Sequence, residues 1–576
     1  MSDKIEPLSP AGRAQALARL EAEELDILVI GGGVTGSGIA LDAITRGLTT
    51  GLVEARDYAA GTSSRSSKLF HGGLRYLEQF NFSLVFEALR ERQLVLKTLA
   101  PHLAHPVPFL YPLSAPVIDR AYAGLGIGVY DIMGAGRGVP SHMRHLGRHK
   151  TIEAFPSVNR ANVRGAIKFY EGQVDDARHT MTLARTAARY GAVCATSTRV
   201  IGFLRERDEV VGVRVRDLES GREFEVRARQ TINAAGVWTD EIQQMVGGRG
   251  QFNVRASKGV HILVPRARIN SSAGIITRTE KSLLFVIPWG SHWIIGTTDT
   301  DWDLDLAHPA ASQSDIDYLL EHANTLLADP LDRDDVVGVY AGLRPLLSGE
   351  SDSTSKLSRE HAVASPVKGL TMIAGGKYTT YRVMAKDAVD HAVHGLERLV
   401  PPSITERVPL LGAEGYGALW NARERVAARN GLRVNTVEHL LGRYGSMIDE
   451  VLGLIDSDPK LGMPMDSAPS YMKAEIVYAA SHEGALHLDD VLARRTRISI
   501  ETWDRGDAAA REAAELVAPV LGWDATDIDR EVEHYQKRIA AERESQRAPD
   551  DRTADAARLG APDVRGAVTG HGGLSS

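Results

Sequence analysis

Asp26-Ile27-Leu28-Val29-Ile30-Gly31-Gly32-Gly33-Val34-Thr35-Gly36 decides how this chain folds. The apolar residues Ile27 to Ile30 read as a buried strand. They run without a linker into G-x-G-x-x-G, and an apolar helix pattern follows. Gly31 permits the tight turn out of the strand. Gly33 lets backbone approach a pyrophosphate, and Gly36 lets the helix pack close to the sheet. Phosphate oxygens then meet the helix N-terminus near Thr35, where N–H groups and the positive dipole end favour anions. A second strand ends at Glu54, about 20 residues on, placed to accept ribose hydroxyl hydrogen bonds. Strand, glycines, helix and terminal acid together read as a dinucleotide site. They do not separate NAD from FAD.

The next segment does. It reads Gly61-Thr62-Ser63-Ser64-Arg65-Ser66-Ser67-Lys68-Leu69-Phe70-His71-Gly72-Gly73-Leu74-Arg75-Tyr76-Leu77-Glu78. A dehydrogenase of soluble NAD usually continues into another βαβ unit. Here small and hydroxyl residues follow, which let backbone wrap around a large ligand and hydrogen-bond to it. The run resembles the flavin-covering loop of the D-amino-acid-oxidase-like flavoproteins. Within that superfamily, S-S-K-L-x-H-G-G-L-R-Y-L-E is similar to the FAD-dependent glycerol-3-phosphate dehydrogenases. The resemblance spans residues 25–545 and includes S-K-G-V-H (257–261), I-G-T-T-D-T-D (295–301), A-G-L-R-P-L (341–346), L-S-R-E-H (357–361), G-G-K-Y-T-T-Y-R (375–382) and A-R-R-T-R (493–497).

Patterning and resemblance together give an expected fold class: α/β, a Rossmann-type FAD-binding domain with an interleaved mixed or antiparallel-sheet substrate domain, plus an all-α C-terminal domain. Residues 1–24 read as a helical arm. Residues 25–392 interleave the FAD segments (25–79, 166–254, 355–392) with the substrate segments (80–165, 255–354). Residues 393–545 are helical, and the Ala-, Gly-, Pro- and Asp-rich residues 546–576 are expected to be disordered. The chain has 576 residues, enough for two to four domains. A net charge of −7 gives no bulk attraction to nucleic acid or anionic lipid. Cys194 is the single cysteine, so no intrachain disulfide forms and a reducing compartment fits. Residues 1–25 lack the apolar centre of a signal peptide. No run reaches the ~18–20 apolar residues of a spanning helix, so membrane contact would be peripheral.

The resemblance implies oxidation of sn-glycerol 3-phosphate to dihydroxyacetone phosphate, reduction of FAD, and passage of electrons to a membrane quinone. It places the protein in the cytoplasm, peripheral on the inner face of the cell membrane, and a homodimer is plausible. The helix at 80–100 and the apolar segment at 125–136 are candidates for membrane or quinone contact. Both are equally compatible with core or dimer packing.

A dianionic phosphate calls for cations, and Arg offers a planar fork for its oxygens. Carbon 2 must lose a hydride while its hydroxyl loses a proton to a base. Arg344, between Leu343 and Pro345, needs an anion or a carboxylate partner; by resemblance it faces the substrate. Arg359 reads as a phosphate ligand or as the partner of a nearby acid. Lys377 and Thr379 reach flavin and phosphate, and Arg75 and Tyr76 close the phosphate pocket. His261 is the candidate proton acceptor, against a structural role at a strand start. Lys258 is placed near the flavin ring. Flavin contacts are further assigned to Thr62, Ser63, Ser66, Ser67, Lys68, Leu69, His71, Gly72, Gly73, Ala235, Gly236, Trp238, Gly376 and Tyr378. Asp299 and Asp301 lack the glycine and distant Glu of a calcium loop; they read as structural or as partners of the arginines, and no metal is expected. Rival readings are an oxidase using oxygen, an amine or amino-acid oxidase, and a non-catalytic flavin-binding sensor.

Overall fold

The computed structural model describes residues 6–72, 82–113, 143–247, 252–280, 283–347 and 360–565. The assignments on Gly73, Arg75, Tyr76, Arg359 and 125–136 lie outside these residues.

The first sheet is built on strand Leu25–Ile30. It pairs in parallel with Thr50–Val53 on one side and with the end of Glu223–Asn233 on the other. Val193–Ala195 and Leu370–Gly375 extend it in parallel, and His361–Val367 closes one edge antiparallel. Alternation sends successive side chains to opposite faces. Ile27 and Val29 face helices Val34–Thr45, Asp176–Arg189 and Tyr381–Val393. Leu28 and Ile30 face helix Pro10–Ala22 through Leu17 and Leu20. Both faces are covered, so the strand is apolar from Ile27 to Ile30. Ile30 pairs with Val53 and Asn233, which brings three strand ends to one edge, where open parallel sheets bind ligands.

The second sheet has ten strands among the described residues and is mainly antiparallel. Its long pair is Val254–Pro265 against Gly338–Leu347. Helix Gln313–Asn324 covers one face through Ile316, Leu319 and Leu320, which meet Val260 and Ile262.

Residues 405–559 are helical, with two apolar cores. A-R-R-T-R docks them on the nucleotide domain by charge. Arg494 and Arg495 both grip Asp57, at 2.6 Å each, and Arg497 reaches Asp175 and Asp176 at 2.5 Å. Arg178 and Glu483 add a 2.6 Å pair. All of these groups are largely buried, where a charge persists only with a partner.

The described part of the tail, residues 546–565, departs from expectation. Residues 551–559 form a helix whose Ala554 is fully buried, and Asp563 and Arg565 are buried as well. Asp551, Asp563 and Arg565 pair with Lys258, Arg56 and Asp490 at 2.5, 3.1 and 2.8 Å. Composition signalled disorder because few apolar residues are present, but distant charges hold this segment.

Candidate functional site

A cleft runs from the ends of the parallel strands to the long pair of the second sheet, with about 2050 Å³ of space including its mouth. Its first wall is the glycine turn. Gly31 has φ +108°, and a Cβ on Gly36 would lie 1.8 Å from the Gly31 carbonyl oxygen. Only glycine permits both the turn and the tight helix start. Glu54 accepts hydrogen bonds from the N–H groups of Gly32 (2.6 Å) and Arg56 (2.8 Å). Burial nevertheless pushes its carboxyl above the usual range.

The Gly61–Ser67 loop forms the next wall, and its hydroxyls are tied to protein. Thr62 donates to the Leu343 carbonyl at 2.6 Å, and Ser63 accepts from the Val34 N–H at 2.9 Å. Ser66 donates to Asp176 at 2.8 Å, and Ser67 lies 2.9 Å from His261 Nε2. The hydroxyls pin the loop across the helix N-terminus, and Thr62, Ser63, Ser66 and Ser67 all line the cleft.

The far wall comes from Val254–Pro265 and Gly338–Leu347. Ser257, Gly259 and His261 stand opposite Arg344, Gly342 and Tyr340. Residues opposed in an antiparallel pair share a face. The two central glycines leave space there: a Cβ on Gly342 would meet the Arg65 carbonyl oxygen at 2.6 Å. His261 stacks on Tyr340, with centroids 4.7 Å apart and planes at 10°. Burial, then the fields of Arg344 and Lys68, hold its imidazole well below the ordinary value, so it is neutral at physiological pH. Arg344 donates to Thr297 Oγ1 (3.1 Å) and the Thr298 carbonyl (3.2 Å), and its Nη1 lies 3.5 Å from Asp299. Asp301 pairs with Arg255 at 3.0 Å.

Of the residues singled out by sequence, Gly31, Gly33, Thr35, Glu54, Thr62, Ser63, Ser66, Ser67, Leu69, His71, Ala235, Gly236, Trp238, His261, Arg344, Gly376, Lys377, Tyr378 and Thr379 line this one cleft. Gly36 supports it from behind, and Gly72 is not among its walls. The Tyr378 hydroxyl turns away to donate to the Asp176 carbonyl at 2.8 Å.

Two lysines are corrections. Lys258 does not face the cleft: it is fully buried on the opposite side of its strand, with Nζ 2.6 Å from Asp315 and 2.5 Å from Asp551. Its even position sends it to the helix-covered face. Lys68 has φ +56° and is fully buried, 2.7 Å from Asp176 and within cation–π reach of Tyr340. Both ammonium groups are thus held by buried carboxylates outside the cleft walls.

Sequence reading missed Arg56, Arg65, Thr198 to Val200, Gly259, Gly342 and Met384, which also line the cleft. Thr198 to Val200 follow the parallel strand Val193–Ala195, so the rule that ligands lie beyond strand ends was the available signal. Among the described residues no cluster of three or more His, Cys, Asp or Glu could hold a metal ion.

The glycine turn, the acid beyond it and the pinned loop fit a long dinucleotide with backbone against its phosphates. Two family models match the chain. That of the FAD dependent oxidoreductases covers residues 26–382, and that of the C-terminal domain of alpha-glycerophosphate oxidase covers 403–528. The protein is thus a flavoprotein oxidoreductase whose cofactor is FAD.

Comparison with individual proteins narrows this. The chain is 61% identical over 561 residues to glycerol-3-phosphate dehydrogenase 2 of Mycobacterium tuberculosis (strain ATCC 25618 / H37Rv), covering 97% of this chain and 96% of the relative. It is 35% identical to the mitochondrial glycerol-3-phosphate dehydrogenase of Homo sapiens, covering 93% of this chain and 76% of that one. The solved glycerol-3-phosphate dehydrogenase from Bacillus halodurans, complexed with FAD, superposes with a TM-score of 0.76 at 29% identity, over 92% of this chain and 98% of that one. The chain belongs to the FAD-dependent glycerol-3-phosphate dehydrogenase family.

Proposed function

We propose that the protein oxidises sn-glycerol 3-phosphate to dihydroxyacetone phosphate. The observation that carries this reading is the placement of neutral His261 and cationic Arg344 on one face of one strand pair, in the wall of the FAD cleft. FAD, when bound, supplies the acceptor for the hydride of carbon 2. His261 Nε2 takes the proton of the carbon-2 hydroxyl, exchanging its bond to Ser67 for one to substrate. Arg344 stabilises the negative charge that develops on that oxygen, held in place by Thr297, Thr298 and Asp299. Lys377 and Thr379 contact the phosphate, together with Arg75, Tyr76 and Arg359 by their motifs. The names of the relatives at 61% and 35% identity support the substrate.

The electrons are assigned to a membrane quinone, with the protein peripheral on the inner, cytoplasmic face of the membrane; the designation of those relatives as dehydrogenases supports an acceptor other than oxygen. Among the described residues no helix is long and apolar enough to cross a membrane. The match of residues 403–528 to an oxidase C-terminal domain favours the second reading, oxygen as acceptor.

Anaerobic mixing with sn-glycerol 3-phosphate tests the substrate: the flavin absorbance should bleach, while glycerol and amino acids leave it unchanged. Absence of bleaching in correctly folded, FAD-loaded protein would overturn the substrate. Faster reoxidation by a quinone analogue than by oxygen is expected, and the reverse order would establish the oxidase.

A further inference from the structure

Arg65 belongs to the walls of two cavities. One is the flavin cleft. The other, with about 880 Å³ of space including its opening, lies where the second sheet, the A-R-R-T-R segment and the C-terminal helices meet. Six arginines line it, against the carboxylates of Asp489 and Glu542.

Four of the six have counter-charges. Arg494 is held by Asp57, Asp489 and Asp490 at 2.5–2.7 Å, and Arg497 by Asp175 and Asp176 at 2.5 Å. Arg538 lies 3.2 Å from Asp489, and Arg558 lies 3.7 Å from Glu542. Arg65 and Arg505 have no ion pair among the described residues. Arg505 is 5% exposed, and its Nε and Nη1 have no hydrogen-bond partner. Its Nη2 reaches only Gln546, at 3.4 Å. Burial and then neighbouring arginines push Arg65 down to about 9, and burial pushes Arg505 and Arg558 down as well.

A buried guanidinium without an ion pair is costly, and at Arg505 the field of Glu542 offsets that cost only in part. Two uncompensated cations match the charge of a phosphate dianion, and planar N–H forks match its oxygens. Arg538, Arg558 and Glu542 retain 12%, 10% and 32% side-chain exposure, so this side of the cavity meets solvent. We propose that this cavity is a second anion site, binding inorganic phosphate or a small phosphate monoester between Arg65, Arg505, Arg538 and Arg558. The site stands apart from the substrate reading, because Arg505, Arg538 and Arg558 are not in the walls of the flavin cleft.

Equilibrium dialysis of the FAD-loaded protein with radiolabelled inorganic phosphate tests it. Arg505→Gln and Arg558→Gln should each weaken one binding event per chain about 10- to 100-fold, the worth of one charge-assisted partner. FAD content and the KM for sn-glycerol 3-phosphate should stay unchanged. Glu542→Gln, which removes an acid and no donor, should tighten the same event, and it keeps the test open if an arginine variant fails to fold. Displacement of the label by glycerol 2-phosphate would identify a monoester site, and displacement by phosphate alone a site for the free ion. Unaltered phosphate binding in the folded arginine variants, or weaker binding in Glu542→Gln, would overturn the proposal.

Discussion

His261→Asn is the sharpest test of the proposed chemistry. The ring is 2% exposed, stacked on Tyr340, with Nε2 2.9 Å from Ser67. A positioned general base contributes about 10²- to 10⁴-fold, or ~2.7–5.5 kcal/mol of barrier. Losing one stacked ring costs about 0.5–1.5 kcal/mol of stability beyond its burial, too little to unfold a domain. The expected outcome is a variant that holds stoichiometric FAD and melts within a few degrees of the parent. Its flavin reduction by sn-glycerol 3-phosphate should be at least about 100-fold slower in anaerobic stopped flow. The pH profile gives an independent reading. Burial depresses the pKa of His261, so the imidazole stays neutral and competent well below the ordinary value of 6.5. For the parent enzyme, the acid limb of kcat/KM should lie below 6.5 and vanish in the variant. Reduction within about tenfold of the parent, with FAD bound, would refute the base assignment. So would an acid limb in the variant identical to that of the parent.

Lys258→Met should leave the flavin spectrum and potential unchanged while lowering Tm. It strands the buried Asp315 carboxylate, a loss of about 3–5 kcal/mol, reduced because Asp551 is 31% exposed and can solvate. A shifted potential at constant Tm would return Lys258 to the flavin. Gly36→Ala puts a methyl 1.8 Å from the Gly31 carbonyl oxygen and should yield colourless protein; normal FAD content after purification would contradict the tight turn. His487, between Glu219 and Glu531, is raised to about 9 against 6.5 when unfolded. Its stabilisation, up to about 3 kcal/mol, is complete below 6.5 and lost as pH rises through 9. Urea midpoints of the parent should therefore fall over that interval more steeply than those of His487→Gln, and parallel curves would argue against the shift.

The nucleotide half of the molecule was legible because its signals are local. Ile27 to Ile30, the three glycines and Glu54 lie within 30 positions, and each is required by a backbone geometry that sequence encodes directly. Residues 546–565 were misread for the opposite reason. Asp551, Asp563 and Arg565 are ordered by Lys258, Arg56 and Asp490, partners that composition cannot pair with them. The serines of the Gly61–Ser67 loop fall between these cases. Their place in the cleft wall was visible, but their bonds to Val34, Asp176 and His261 needed the fold.

The strand Val254–Pro265 shows where motif reading stops and geometry begins. S-K-G-V-H marks a site, yet no motif says which face each residue takes. Pleating divides it: Gly259 and His261 go to the cleft beside Arg344, with Ser257 on the same face, while Lys258 and Val260 go to the face under helix Gln313–Asn324. Lys258 there holds Asp551, at the start of the C-terminal helix. The same strand therefore carries the proposed base on one face and anchors helix Asp551–Leu559 on the other. A one-residue slip in its pairing with Gly338–Leu347 would exchange the two faces, removing His261 from the cleft and Lys258 from its acids together. Register here is therefore under two constraints. That accounts for two fully buried charged or aromatic anchors, Lys258 on Asp315 and His261 on Tyr340, within four residues of one strand.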